Sequence, residues 1–229
     1  MADQCFWFLE DVDVKSLLDP QKVEPAIDQL VHRSYKKGEN IFVPKDEADK
    51  IYFVMEGRVK ILTNNEEGKE VTKMIINQGE IFGELALVES SQRRDYAVAM
   101  EPTTLCIMTI EELKSVMKTH SAMGLFFMKI LGQRVVDMEK RLESLVFRDS
   151  RTRIVEFLLD LAKRKGQRVG YETVVRKFMT HQDIANLTAT SRQTVTTVLN
   201  DLRGRNLITF DRKRLLIRDM EKLGEEIVV

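Results

Sequence analysis

Residues 180–218 read THQDIANLTATSRQTVTTVLNDLRGRNLITFDRKRLLIR, a run in which two helix starts, a turn and a basic hairpin follow one another. Thr180 and Asp183 have the S/T-x-x-D/E spacing of a capping box, so a helix is expected to begin there. Thr190 and Gln193 repeat that spacing ten residues on and mark a second start. Along the second helix Val195, Val198, Leu199 and Leu202 fall at i, i+3, i+4 and i+7 and make one apolar stripe. The opposite side carries Arg192, Gln193, Thr196, Thr197 and Asn200, residue types that bond to base edges, with Arg the commonest reader of guanine. Next come two short apolar runs, 207–210 and 215–217, around Asp211-Arg212-Lys213-Arg214, a hairpin with a cationic tip. An ordinary pair of surface helices has no use for such a tip, whereas phosphates do. The expectation is a winged helix-turn-helix. Arg192, Gln193 and Thr197 would read bases, Thr196 and Asn200 would stand beside them on the DNA-facing side, and Arg203, Arg205, Arg212, Lys213 and Arg214 would meet the phosphates.

Composition agrees. The 229 residues suffice for two small domains with a core each. No apolar run approaches the roughly 20 residues of a membrane span, and neither a membrane partner nor a signal peptide is expected. Two distant cysteines, Cys5 and Cys106, suit a reducing, cytoplasmic compartment. They are too few for the four thiolates an iron–sulfur cluster normally takes. The net charge of zero hides a split: from Arg151 onward there are 16 Lys+Arg against 10 Asp+Glu, and before it 20 against 26. A polyanionic partner therefore belongs to the C-terminal part.

Upstream, residues 1–30 have loose helical spacing at 13–18 and 23–30, with Trp7 as a packing anchor. Between 34 and 109, short apolar runs alternate with turns such as Asn77-Gln78-Gly79, the pattern of an antiparallel barrel or roll. One segment there is unusual: FGELAL at 82–87, followed by Arg93-Arg94-Asp95. Gly83 permits close approach of a backbone, and the next residues could open a short helix whose N–H groups favour an anion. Arg94 could clamp a phosphate while Glu84 accepts from a sugar hydroxyl. Equally, Glu84 and Arg94 could form an internal ion pair, and spacing alone leaves both readings open. Cys106, in an apolar strand, is expected to pack inside the roll.

A small helix over 110–118 leads to a long one from near Met123. In it Met128, Leu131, Val135, Met138, Leu142 and Leu145 alternate spacings of three and four, the a/d seam of a parallel two-stranded coiled coil. An intrachain core helix could carry such a stripe too, but a helix-turn-helix normally works as a dimer on two half-sites. Phe126, Phe127 and Ile130 could pack on the roll, and a hinge is expected near Asp149. A helix over 152–165 with a basic end at Lys163-Arg164-Lys165, a strand-like run at 171–178 and a final helical turn from Met220 complete the chain. His32, His120 and His181 have no ligand-like spacing, so neither haem nor a metal site is expected; His181, at a helix start, suits capping or a phosphate.

Taken in order, these elements resemble the Crp/Fnr (cyclic-AMP receptor protein/fumarate-nitrate regulator) superfamily of bacterial transcription regulators. The resemblance is carried by the FGELAL cassette with Arg94, the long helix, and Ser191-Arg192-Gln193-Thr194-Val195 opening the recognition helix. It implies a cytoplasmic homodimer on a palindromic operator in double-stranded DNA, with RNA polymerase as a further partner. It also implies an effector site at Gly83, Glu84, Leu85, Arg94, Asp95 and Met138. The chain departs from the family pattern in two places. Cyclic-nucleotide-binding relatives have Ser or Thr where Asp95 stands, and small hydroxyl residues at the positions of Met138 and Glu139. A carboxylate roughly 4–5 Å from a phosphate costs on the order of 3 kcal/mol at an effective dielectric near 20. A cyclic nucleotide is therefore the expected effector only if Asp95 turns away or pairs with Arg93 or Arg94; otherwise a different small molecule, or none, is expected.

The fold expected is α+β, in three parts. These are a β-roll effector domain (1–120), a dimerisation helix with hinge (121–149) and a winged helix-turn-helix domain (150–229). No nucleophile elbow or Walker-type loop suggests an enzyme. The alternative function is a cyclic-nucleotide-binding signalling module that acts through a protein partner.

Overall fold

A computed structural model of the chain describes Phe8–Leu9, Val12–Asp13 and residues 31–64, 70–88, 92–119, 121–211 and 213–227. It divides into two compact units between Arg134 and Val135.

The first unit is the antiparallel roll. Strands β1 (Phe8–Leu9) and β2 (Val12–Asp13) pair with each other, so Asp13 belongs to a strand and opens no helix. The rest of the expected lead-in helix, with Cys5 and Trp7, lies outside the described residues, as does His120. Eight further strands follow: β3 (Val31–Tyr35), β4 (Asn40–Phe42), β5 (Lys50–Glu56), β6 (Arg58–Asn64), β7 (Glu70–Asn77), β8 (Ile81–Phe82), β9 (Tyr96–Ala99) and β10 (Thr103–Thr109). They form two four-stranded sheets ordered β3-β10-β5-β8 and β4-β9-β6-β7, every pairing antiparallel. Strand β5 shows how one sequence serves two cores. Tyr52 and Val54 pack with Val59, Phe82, Ala97 and Leu105 from both sheets. Ile51 and Phe53, on the other face, pack with Leu113 of α1 (Ile110–Thr119) and with Met123, Phe126 and Phe127 of α2 (Ser121–Phe147). Side chains alternate along a strand, and a strand buried on both faces has no polar side to show. Between β5 and β6, Gly57 sits at φ +86°, and a Cβ there would stand 2.4 Å from Thr103 Oγ1. Only glycine fits that turn.

The second unit holds the C-terminal part of α2, then α3 (Ser150–Lys165), β11 (Gly166–Val169), β12 (Glu172–Arg176), α4 (His181–Leu187), α5 (Arg192–Gly204), β13 (Ile208–Phe210), β14 (Arg214–Ile217) and α6 (Met220–Gly224). Its strands form one antiparallel sheet, β11-β12-β14-β13. Asp149 caps α3 by accepting from Thr152 N at 2.7 Å, where the hinge was expected. The single strand expected over 171–178 is in fact the second arm of a hairpin that starts directly at Gly166. The basic end of α3 is engaged within the second unit. Arg164 grips both carboxylate oxygens of Asp137 on α2, at 2.8 and 3.0 Å, and also pairs with Asp160.

Both helix-turn-helix elements form, with one correction. Thr180 caps α4: its Oγ1 accepts from Asp183 N at 3.1 Å and donates to Asp183 Oδ2 at 2.6 Å. Helix α5 is capped by Ser191, which accepts from Thr194 N at 2.9 Å, and not by Thr190. The Thr190 hydroxyl is already engaged with Thr188 Oγ1 at 3.0 Å, and Ala189 at φ +50° makes the turn. Val195, Val198, Leu199 and Leu202 point into the core against Ile154, Leu158, Ile184, Ile208, Leu215 and Leu223. His181 joins α4 to α5. Its Nδ1 lies 2.9 Å from Thr196 Oγ1, which itself donates to Arg192 O at 2.9 Å. The single hydroxyl hydrogen is thus used, and His181 Nδ1–H is assigned as the donor to Thr196. The imidazole edge rests on the Phe210 ring, centroids 5.7 Å apart. Burial, with Arg192 nearby, holds His181 below the ordinary histidine range, so it is neutral at pH 7.

Two measurements check this packing. Leu199→Ala, at a fully buried position, is expected to destabilise the second unit by about 2–5 kcal/mol in urea unfolding. A loss below about 1 kcal/mol would show that the stripe is not core. Because the folded pKa of His181 is depressed, the unfolded chain binds the proton first. Its contribution is therefore intact above the unfolded value of about 6.5 and is lost as pH falls from there toward the folded pKa. His181→Gln should flatten the pH–stability curve in that window; an unchanged slope would contradict the assignment.

Candidate effector turn, helix seam and nucleic-acid interface

The cassette at 82–87 folds into a tight turn. Gly83 has φ +87°, and a Cβ on it would meet Lys50 O at 3.0 Å, Tyr52 Cδ2 at 3.1 Å and Arg93 Nη1 at 3.2 Å. A single 3-10 turn, Glu84–Leu87, follows, with Ala86 N donating to Gly83 O at 3.1 Å. Leu85 is half exposed, and Glu84 is buried. The Glu84 carboxylate pairs with Arg134 of α2, whose Nη2 also donates to Ile81 O at 2.6 Å. Among the readings left open by spacing, an internal ion pair exists, but the arginine identified here comes from the long helix.

The two consecutive arginines point in different directions. Arg93 is buried: Nη1 donates to Gly83 O at 3.1 Å and Nη2 to Lys50 O at 2.5 Å, over the rings of Phe42 (4.6 Å) and Tyr52 (5.6 Å). Burial pulls it below the ordinary arginine range. Arg94, the residue matching the family clamp, is exposed beside this staple. Asp95 does not stand as a bare carboxylate. Lys73 Nζ lies 2.6 Å from its Oδ1, so the repulsion toward an anion expected from the sequence is offset by a cation that sequence reading missed. No spacing rule points to Lys73; it stands at an irregularity of the β6–β7 register.

Along α2 the heptad positions remain uncovered. Met128 is 67% exposed, Val135 54%, Met138 69%, Leu142 63% and Leu145 41%, with Leu131 intermediate. An intrachain core helix would have buried them. Glu139, beside Met138, is exposed as well.

On α5, Arg192, Gln193, Thr197, Asn200 and Arg203 are exposed along one side. Arg203 Nη2 donates to Asn200 Oδ1 at 2.9 Å, and its guanidinium lies over Phe210 at 5.1 Å, which stiffens that edge. Thr196 is a correction to its base-facing assignment, because its hydroxyl is committed to Arg192 O and His181. Arg205 is another: it pairs with Glu226, which also binds Arg151, and so ties the chain end to the core rather than pointing to a phosphate. In the wing, Asp211 Oδ1 accepts from Lys213 N at 2.6 Å and Arg214 N at 2.9 Å, which holds its carboxyl below the usual range. Lys213 and Arg214 are exposed; Arg212 lies outside the described residues.

The remaining candidates are quiet. Cys106 is buried and its thiol is pushed up to about 11, so it is protonated at neutral pH. Among the described residues no His/Cys/Asp/Glu cluster could hold a metal, and no helix is long and apolar enough to cross a membrane.

Comparison with known proteins places this geometry. Residues 32–120 match the cyclic nucleotide-binding domain and residues 152–226 the Crp-like helix-turn-helix domain. The chain is 31% identical over 198 residues to the Global nitrogen regulator of Synechocystis sp., covering 86% of this chain and 88% of that protein. It is 27% identical over 207 residues to the CRP-like cAMP-activated global transcriptional regulator of Mycobacterium tuberculosis, covering 90% and 92%. A mutant of CooA from Carboxydothermus hydrogenoformans superimposes with a TM-score of 0.81 at 26% identity, over 96% of this chain and 98% of that one. With both domain types in order, a long uncovered helix between them and relatives of this identity over most of their length, the chain belongs to the Crp/Fnr family of transcription regulators.

Proposed function

We propose that this regulator binds a palindromic operator in double-stranded DNA as a homodimer in the cytoplasm. In this reading it responds to a small-molecule effector at residues 83–95 and acts on RNA polymerase. One observation carries the DNA-reading assignment: Arg192, Gln193, Thr197, Asn200 and Arg203 share the exposed side of α5, while Val195, Val198, Leu199 and Leu202 anchor the other. A helix so held can enter the major groove with only its polar side available, and bidentate Arg and Gln supply base discrimination. Lys213 and Arg214 on the wing serve phosphates and set register rather than sequence. The division of labour is a roll at 1–120, a dimerisation helix and hinge at 121–149 and a DNA-binding domain at 150–229.

The effector step runs through Glu84 and Arg134. The turn that opens at Gly83 is tied to α2 by that pair. A ligand that engages Glu84 competes with Arg134 and so biases the helix whose seam joins the two copies. A cyclic nucleotide fits the turn in part. Lys73 offsets Asp95, while the space beside Gly83 is taken by Lys50 O, Tyr52 and Arg93 rather than left open.

Arg192→Ala is expected to weaken binding to a duplex selected from a random library by about 1–3 kcal/mol, and to relax preference at one base pair. Equal affinity of variant and parent for selected and scrambled duplexes would refute base reading by Arg192. Leu142→Glu places a charge in the seam and should convert the dimer to monomer in sedimentation velocity. A variant that still sediments as a dimer would move the interface elsewhere.

A further inference from the structure

We propose that His181 and Thr196 are positioning residues for DNA reading, that together they fix the first turn of α5 under Arg192, and that operator binding takes up a proton at His181. The inference rests on the reading of α5 as the base-reading helix and adds to it a residue from α4.

Three observations lead there. His181 and Arg192 are the first residues of α4 and α5, and Thr196 links them. Thr196 Oγ1 lies 2.9 Å from His181 Nδ1 and donates to Arg192 O at 2.9 Å. With its one hydrogen committed to the carbonyl, the hydroxyl only accepts from the imidazole, and with both partners in place it is not free to rotate. Secondly, α5 already has its cap from Ser191 and its anchor from Val195, Val198, Leu199 and Leu202. The further tie through Thr196 therefore bears on the exposed turn that presents Arg192 rather than on the core.

The charges around the ring supply the third observation. From α5, the charge acting on His181 is Arg192. From β13 the imidazole meets Phe210, whose ring carries the Arg203 guanidinium at 5.1 Å. Within α4 itself, the Asp183 carboxylate is engaged by the Thr180 hydroxyl at 2.6 Å. These surroundings are cationic and keep the free imidazole neutral. A duplex reverses the balance: its phosphates neutralise Arg192 and Arg203 and attract an imidazolium, so the histidine holds its proton more firmly in the complex than in the free chain. That proton enters at Nε2, because Nδ1 already carries one, and the tie to Thr196 survives. Affinity is then independent of pH above the pKa of the complex and rises as pH falls through it, by up to about tenfold for each unit of difference. A purely structural pair would contribute equally at every pH.

The test is fluorescence anisotropy of the full chain on a duplex selected from a random library and on a scrambled duplex, at about pH 8 and about pH 6 and at constant salt. The parent should bind the selected duplex about three- to tenfold more tightly at the lower pH, and His181→Gln should show no such gain. His181→Asn takes its place should His181→Gln fail to melt cooperatively. Thr196→Val removes the hydroxyl at nearly constant shape and should narrow the ratio of selected to scrambled affinity about tenfold, and Thr196→Ser should restore it. A parent without the gain, a gain that persists in the His181 variant, or a ratio that Thr196→Val leaves within about threefold of the parent's would overturn the inference. Arg192→Ala separates the two levels. If it collapses the ratio while the gain persists without His181, base reading stands and the role of His181 falls. If Arg192→Ala leaves the ratio unchanged, the base-reading assignment itself fails.

Discussion

The apolar stripe on α2 is the constraint from which most of the arrangement follows. Five of its six heptad side chains are exposed in the single chain. Burying a Leu, Val or Met side chain fully is worth about 1.5–3 kcal/mol, and in the proposed homodimer a second copy supplies that cover. That demand fixes what the other faces can do. Met123, Phe126 and Phe127 close the outer face of the sheet that contains β5, and Arg134 takes the Glu84 carboxylate. Further along, Asp137 binds Arg164, Arg141 Nη2 donates to Asn186 O at 3.1 Å, and Ser144 Oγ donates to Glu156 at 2.7 Å. One helix thus carries the exposed apolar stripe, the ion pair to the turn at 83–87 and the polar contacts to α3 and α4.

The turn at 83–87 is governed by burial of charge. Arg93 has carbonyl partners and two aromatic rings, and its buried Nε has no hydrogen-bond partner among the described residues. A guanidinium in such a place is expensive to remove as well as to bury, since its loss would leave two carbonyls without donors. It works as a staple between Lys50 and Gly83, while the neighbouring Arg94 is exposed. Glu84, in turn, is buried only because Arg134 reaches it. Each of the acids Glu84 and Asp95 thus has a basic partner already in place.

The sequence made the architecture legible where periodicity was strong and where caps have fixed chemistry. The stripe at Val195, Val198, Leu199 and Leu202, the Thr180–Asp183 cap and the ten-residue rhythm of the roll all became structure. What stayed hidden depended on side-chain direction and on partners far away in the chain. Nothing in Arg93-Arg94 says which one turns inward; that is settled by the carbonyls of Gly83 and Lys50. Lys73 gives no local sign of Asp95, because a register irregularity aims it. Arg205 looked like a phosphate contact until Glu226, twenty-one positions on, came beside it. Thr196 looked like a base contact until His181 took its hydroxyl. The cap of α5 was misplaced by one residue because Thr190 and Ser191 are both good caps, and only the turn at Ala189 chooses between them.

The central claim is that two copies, joined along the α2 stripe, present two α5 helices to one duplex. It is tested most directly by measuring stoichiometry and spacing dependence together, with fluorescence anisotropy on a duplex selected from a random library. The account predicts two chains per duplex, two half-sites about one helical turn apart, and loss of tight binding when about five base pairs are inserted between them. One chain per duplex, with affinity indifferent to the insertion, would contradict it.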